Sequence, residues 1–127
     1  MFEMPTMLEF FEDQPRLAAR YPRTDTGELG WLPAVDVRET ADEVVVLMAL
    51  PGVRKDDFFV EAQPQSLVVT GRRDHRSEDG WVRREMIAGP FTRSVELPAA
   101  VKAGDARLTH RDGILEVRLP KQAPAVH

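Results

Sequence analysis

Near the end of the chain runs Asp112-Gly113-Ile114-Leu115-Glu116-Val117-Arg118-Leu119-Pro120-Lys121. Asp112-Gly113 is a turn signal, because glycine supplies the positive φ that tight turns often need. Beyond it, Leu115, Val117 and Leu119 share one parity, and Glu116 and Arg118 the other. That alternation describes a half-buried strand. Pro120 closes it, since proline cannot donate to a ladder. Upstream, Ala106-Arg107-Leu108-Thr109-His110 alternates in the same way, so the two segments read as a β-hairpin packed on a sheet.

The neighbouring segments fit the same period. Phe91, Val95 and Leu97 alternate with Thr92, Ser94 and Glu96 between Pro90 and Pro98. Glu43–Leu50 is almost continuously apolar and rich in valine, and it meets a Pro51-Gly52 turn. It reads as a central strand covered on both faces. Ala34–Arg38 alternates weakly, as an edge strand does, and Asp57–Ala62 and Ser66–Gly71 form a further pair. Seven or eight short strands punctuated by Pro and Gly, with little helix, predict an all-β antiparallel β-sandwich.

A chain of 127 residues is expected to hold one domain. It can bury roughly two-thirds of its unfolded surface. The net charge of −4 argues against a dedicated nucleic-acid binder. With no cysteine, disulfide frameworks and thiolate metal sites are excluded. The longest apolar run, Val44–Leu50, is too short to cross a bilayer, and the N-terminus lacks the pattern of a secretion signal. The expectation is a cytoplasmic protein with no membrane, nucleic-acid or cofactor partner.

Catalysis finds little footing. Ser66, Ser77 and Ser94 sit in no nucleophile-elbow pattern, and His75, His110 and His127 lie too far apart to pair on a metal. Asp36, Glu39 and Asp42 fit a polar surface, and Asp56-Asp57 a turn into the next strand. No enzymatic site, metal site or phosphate-binding loop is expected.

Three features fall outside a plain sandwich. First, residues 1–30 form an arm and linker. Met4, Met7, Leu8 and Phe11 take one helical face, and Thr6 with Glu9 makes a capping box, which predicts a short helix over Thr6–Asp13. It either docks on its own domain or stands out as an adaptable apolar arm of Phe2, Met4, Met7, Leu8, Phe10 and Phe11. Second, Arg72–Gly80 is a charged run that reads as a solvated loop. It leads to Trp81-Val82-Arg83-Arg84, which suits pairing with another subunit's strand edge. Third, Arg93 occupies an apolar parity, so it either meets a partner or lays its stem inside with its head in water.

Four segments together resemble the small heat-shock proteins, the α-crystallin family, of the bacterial and plant type. Ala106 with Asp112–Lys121 is similar to the A-x-x-x-n-G-V-L signature, and Phe91–Pro98 to the F-x-R-x-x-x-L-P stretch. Leu50–Asp57 resembles the L-P-G turn, and Pro33–Val37 the opening strand; Glu85, six residues before Phe91, also fits. The resemblance covers about residues 31–121, with residues 122–127 as a C-terminal tail. It implies an immunoglobulin-like β-sandwich, the α-crystallin domain, that acts as an ATP-independent holdase, binding partly unfolded client proteins under stress and keeping them from aggregating. It implies a homodimer in which loop 72–85 exchanges a strand, Ala34–Arg38 of one subunit meeting Trp81–Arg84 of the other. Val35, Val37, Trp81, Val82, Arg83, Arg84 and Arg93 are then the interface residues.

Family members usually end in an I/V-x-I/V tail that fills a groove of a neighbouring dimer. No such pair follows Lys121, so the groove of Phe58, Val60 and Leu108 is expected to stay open for clients, and a dimer to predominate. Hand-over of held clients to ATP-dependent chaperones is compatible with this reading. The alternative is an adaptor like the CS-domain co-chaperones, bound to one specific partner.

Overall fold

In the computed structural model, the described residues are 31–74 and 79–122. The expected helix over Thr6–Asp13, the apolar arm, His75 and the tail beyond Gln122 lie outside them. Seven strands follow in order: β1 (Val35–Glu39), β2 (Glu43–Ala49), β3 (Phe58–Gln63), β4 (Ser66–Arg73), β5 (Gly89–Glu96), β6 (Arg107–Arg111) and β7 (Ile114–Pro120). All pairings are antiparallel, in a four-stranded sheet ordered β1-β2-β7-β6 and a three-stranded sheet ordered β3-β4-β5. The fold is thus the expected β-sandwich.

The hairpin forms as its alternation requires. β6 and β7 pair Arg111 with Ile114 across a two-residue loop, and Asp112 and Gly113 take φ of 55° and 75°. Two successive positive-φ residues match the right-handed twist of the flanking strands, hence Asp-Gly. At the other end of the sheet, the Thr40 side-chain oxygen accepts from the backbone N–H groups of Asp42 and Glu43, closing the β1–β2 turn.

The inward parity of each strand builds the core. Val44, Val46 and Met48 of β2 face inward with Leu115, Val117 and Leu119 of β7. They meet Leu67 and Val69 of β4 and Phe91 and Val95 of β5. The β5–β6 connection laces the two sheets together: the Val101 N–H donates to Pro64 O at 2.8 Å, and Val101 bridges to Lys121.

β2 is central, as expected, but it is not covered on both faces. Val45 is buried between Arg38 and Arg118 in register, whose long stems can shield it, whereas Leu47 on the same outer face is exposed. Among the described residues no element packs over this side of the four-stranded sheet.

The two sheets differ in width, and that mismatch positions the candidate site. The Phe58 ring meets the His110 ring edge-on at 4.9 Å, so edge strand β3 lies against edge strand β6. Three strands cannot then reach across four, and β1 overhangs. Val37 faces the inner side, opposite Val46, yet remains 43% exposed.

Candidate functional site

Two open margins and one projecting arm expose apolar side chains, as do the outward-facing positions Leu47, Phe59 and Ile114. At the β3–β6 margin, Phe58, Val60 and Ala62 point inward along β3 and are only partly buried. On β6, Leu108 sits opposite inward-facing Val117 but stays 47% exposed. A leucine on a core-facing parity is uncovered here because the sandwich ends and no other described residue closes it. The predicted Phe58, Val60 and Leu108 therefore lie on the two strands that flank one margin. His110 shares Leu108's parity and adds a buried Nε2 with no hydrogen-bond partner among the described residues.

At the opposite margin β1 offers a free edge, with Val35 half-buried and Val37 more open. Arg93 lies on the inner face of β5, itself a sheet edge, in register with buried Val69. Its Nε is buried without a partner among the described residues, so the ion pair expected for Arg93 is not made within this part of the subunit.

The arm reaches this geometry through residues 79–88, which form no strand within the single chain. Trp81 is half exposed, with the Arg84 guanidinium 4.9 Å from its ring centre, and Val82 is fully exposed. Met86, also largely exposed, was not singled out from the sequence. Its place in the arm beside Ile87 was the available signal. Phe59 was missed as well: it takes the outward parity of β3 and is 69% exposed, as its position next to inward-facing Phe58 dictates.

No group of three His, Cys, Asp or Glu side chains among the described residues can hold a metal ion. The cleft lined by Asp42, Glu43, Asp105, Ala106, Arg107, Arg118 and Pro120 is charged, and Arg118 and Glu43 pair across it. Arg118 reaches Glu43 at 2.6 Å and Glu116 at 3.0 Å. These partly exposed pairs add little stability individually. No helix among the described residues is long and apolar enough to cross a membrane.

An immunoglobulin-like sandwich of four strands on three, with an arm leaving between β4 and β5, can now be set beside known proteins. A profile of the Hsp20/alpha crystallin family matches residues 36–127. The chain belongs to that family. It is 33% identical over 124 residues to heat shock protein 16 of Schizosaccharomyces pombe, covering 92% of this chain and 84% of that one. It is 35% identical over 91 residues to the 17.6 kDa class I heat shock protein 3 of Arabidopsis thaliana, covering 68% of this chain and 58% of that protein. The crystal structure of hspA from Xanthomonas axonopodis superposes with a TM-score of 0.66 at 31% identity, covering 75% of this chain and 98% of that one. Small heat-shock proteins are ATP-independent chaperones and not enzymes, which agrees with a fold whose notable surfaces are apolar rather than catalytic.

Proposed function

We propose that this protein is a holdase: a homodimer that captures partly unfolded clients on apolar surface and keeps them from aggregating, without ATP. One observation carries the reading. Leu108 and Val37 stand on core-facing parities of edge strands, yet remain 47% and 43% exposed. A sandwich that worked alone would gain by covering them, at roughly 25 cal/mol per Å² of apolar surface. Left open, they favour another chain's apolar surface by the same amount. The two margins divide the work. The groove of Phe58, Val60 and Leu108 takes clients together with the leading segment (Phe2, Met4, Met7, Leu8, Phe10 and Phe11). The β1 edge, with Val35 and Val37, takes Trp81–Arg84 of a second subunit, and Arg93 gains its partner there.

Ordering costs offset much of each contact, which keeps capture weak and reversible. Reversible capture in the cytoplasm leaves clients free to pass to ATP-dependent chaperones. The test is suppression of heat-induced aggregation of several unrelated proteins, without nucleotide, at near-stoichiometric ratios. Protection across unrelated clients is the expected result. Protection of one protein alone would favour the adaptor reading, and protection of none would overturn the holdase.

A further inference from the structure

Arg73 has a role that its place at the start of a charged run conceals. It is the last residue of β4 and continues the inward parity of Leu67, Val69 and Gly71. Its guanidinium therefore turns over the end of the core rather than into solvent. There it stacks on Trp31, 4.0 Å from the ring centre. Nη1 donates to Pro51 O at 3.1 Å, in the turn after β2. Nε donates to Ile87 O at 2.9 Å, and Nη2 donates to the same oxygen.

Ile87 is the point where the arm rejoins the sandwich. Its side chain is buried, whereas Trp81 to Met86 are all exposed. Two residues on, Gly89 O accepts from Trp31 Nε1 at 3.2 Å, and Trp31 packs on Phe91 at 4.8 Å. One planar cation thus ties together three segments: the turn after β2, the root of the arm, and the tryptophan that follows the leading thirty residues.

We propose that Arg73 is a positioning residue for subunit pairing, fixing the direction in which residues 81–86 leave the sandwich. The inference rests on the arm-to-edge dimer proposed above. Its contacts to Trp31, Pro51 and Ile87 lie outside that interface. It acts by gripping the carbonyl from which the arm springs, which reduces the ordering that pairing requires. Lysine cannot replace it, because a single ammonium lacks the planar fork that serves two carbonyls while stacking on a ring.

The test compares Arg73→Lys, Trp81→Ala and Arg72→Lys in the full chain. Subunit exchange is read by energy transfer between two labelled pools, and core stability by amide hydrogen exchange in β2 and β7. Arg72 is the control, since it points outward and pairs only with Asp74 at 3.0 Å among the described residues. Arg73→Lys is expected to weaken the dimer about tenfold or more, the scale of lost hydrogen bonds to a charged group. Exchange in β2 and β7 should stay at wild-type levels, and Arg72→Lys should change neither readout. A wild-type dimer weakened by Trp81→Ala but indifferent to Arg73→Lys overturns the role of Arg73 alone. Loosening of β2 and β7 by Arg73→Lys makes the residue merely structural and also overturns it. A protein that is monomeric at every concentration overturns the dimer and the role of Arg73 together.

Discussion

Gly71→Ala is the sharpest test of the packing, because the structure sets two opposing effects against each other. An added Cβ at Gly71 would lie 2.5 Å from Asp57 O, 2.7 Å from Phe91 Cζ and 2.8 Å from Phe58 Cβ. Those atoms belong to the turn before β3, to β5 and to β3, so no single side chain can swing aside to make room. Two strands and a backbone carbonyl must separate instead. Overpacking of this kind costs about 1–3 kcal/mol, and three simultaneous contacts with a backbone atom among them place Gly71 at the upper end, near 3. Against that, alanine restricts the unfolded chain and returns about 0.4–1 kcal/mol. The net expectation is a loss of about 2–3 kcal/mol, a large share of the roughly 5–15 kcal/mol that holds a domain folded. For a domain of this size that lowers the melting temperature by about 10–20 °C. Gly104→Ala supplies the control, since nothing lies within 4 Å of a Cβ placed there. It should be neutral or slightly stabilising, within about 1 kcal/mol. Urea unfolding followed by circular dichroism reads both variants, at one protein concentration because dimerisation shifts apparent stability. A Gly71→Ala protein within about 0.5 kcal/mol of wild type, the range of ordinary surface changes, would refute the packing argument.

Other outcomes bear on function. Leu108→Ser should cost only about 1 kcal/mol of stability, since half of that side chain is already in water, while client protection falls clearly in a light-scattering aggregation assay. Deleting residues 1–20 should leave a folded dimer with poorer client protection; unchanged protection would move the client site to the groove. Leu115→Ala empties a fully buried core position and should lower stability by about 2–5 kcal/mol, measured by thermal unfolding.

Period-two reasoning reads this fold well because nearly every strand is half-buried. Each strand inferred from alternation is present, with ends within about two residues, and Asp112-Gly113 turns where its chemistry requires. Failures arise where parity was not carried far enough. The strand read as Ser66–Gly71 runs on past its glycine to Arg73, which the charge pattern alone assigns to a solvated loop. One more step of two from Gly71 would have placed it on the core side. The same step from Leu108 reaches His110. Covering of β2 on both faces was inferred from composition alone, and composition does not distinguish a strand packed on two sides from one shielded by arginine stems. Arg93 is a different case. Its parity is plain in the sequence, but no partner occurs among the described residues, and single-chain patterning carries no information about a second subunit.

The features proposed as functional share one geometric cause. A sandwich of equal sheets covers its inner faces at both margins, and its remaining liability is four strand edges. Here β3 is held against β6 by the Phe58–His110 contact, so the missing eighth strand is missing from one side only. That side exposes the inner face of β1 together with an unpaired ladder, and an apolar strand fits this combination better than water does. The arm leaves from β4 and returns into β5, the edge of the narrower sheet opposite β3. An arm emerging there is on the side of the overhang and can reach across to a second subunit's β1. Among the described residues the β3–β6 margin has no such arm beside it, so in the proposed dimer its apolar residues stay available. On this geometry pairing and capture do not compete for the same surface. Trp81→Ala should then weaken the dimer while leaving Phe58, Val60 and Leu108 able to bind clients. A variant that is monomeric yet still protects clients would establish that separation, and loss of both activities together would break it.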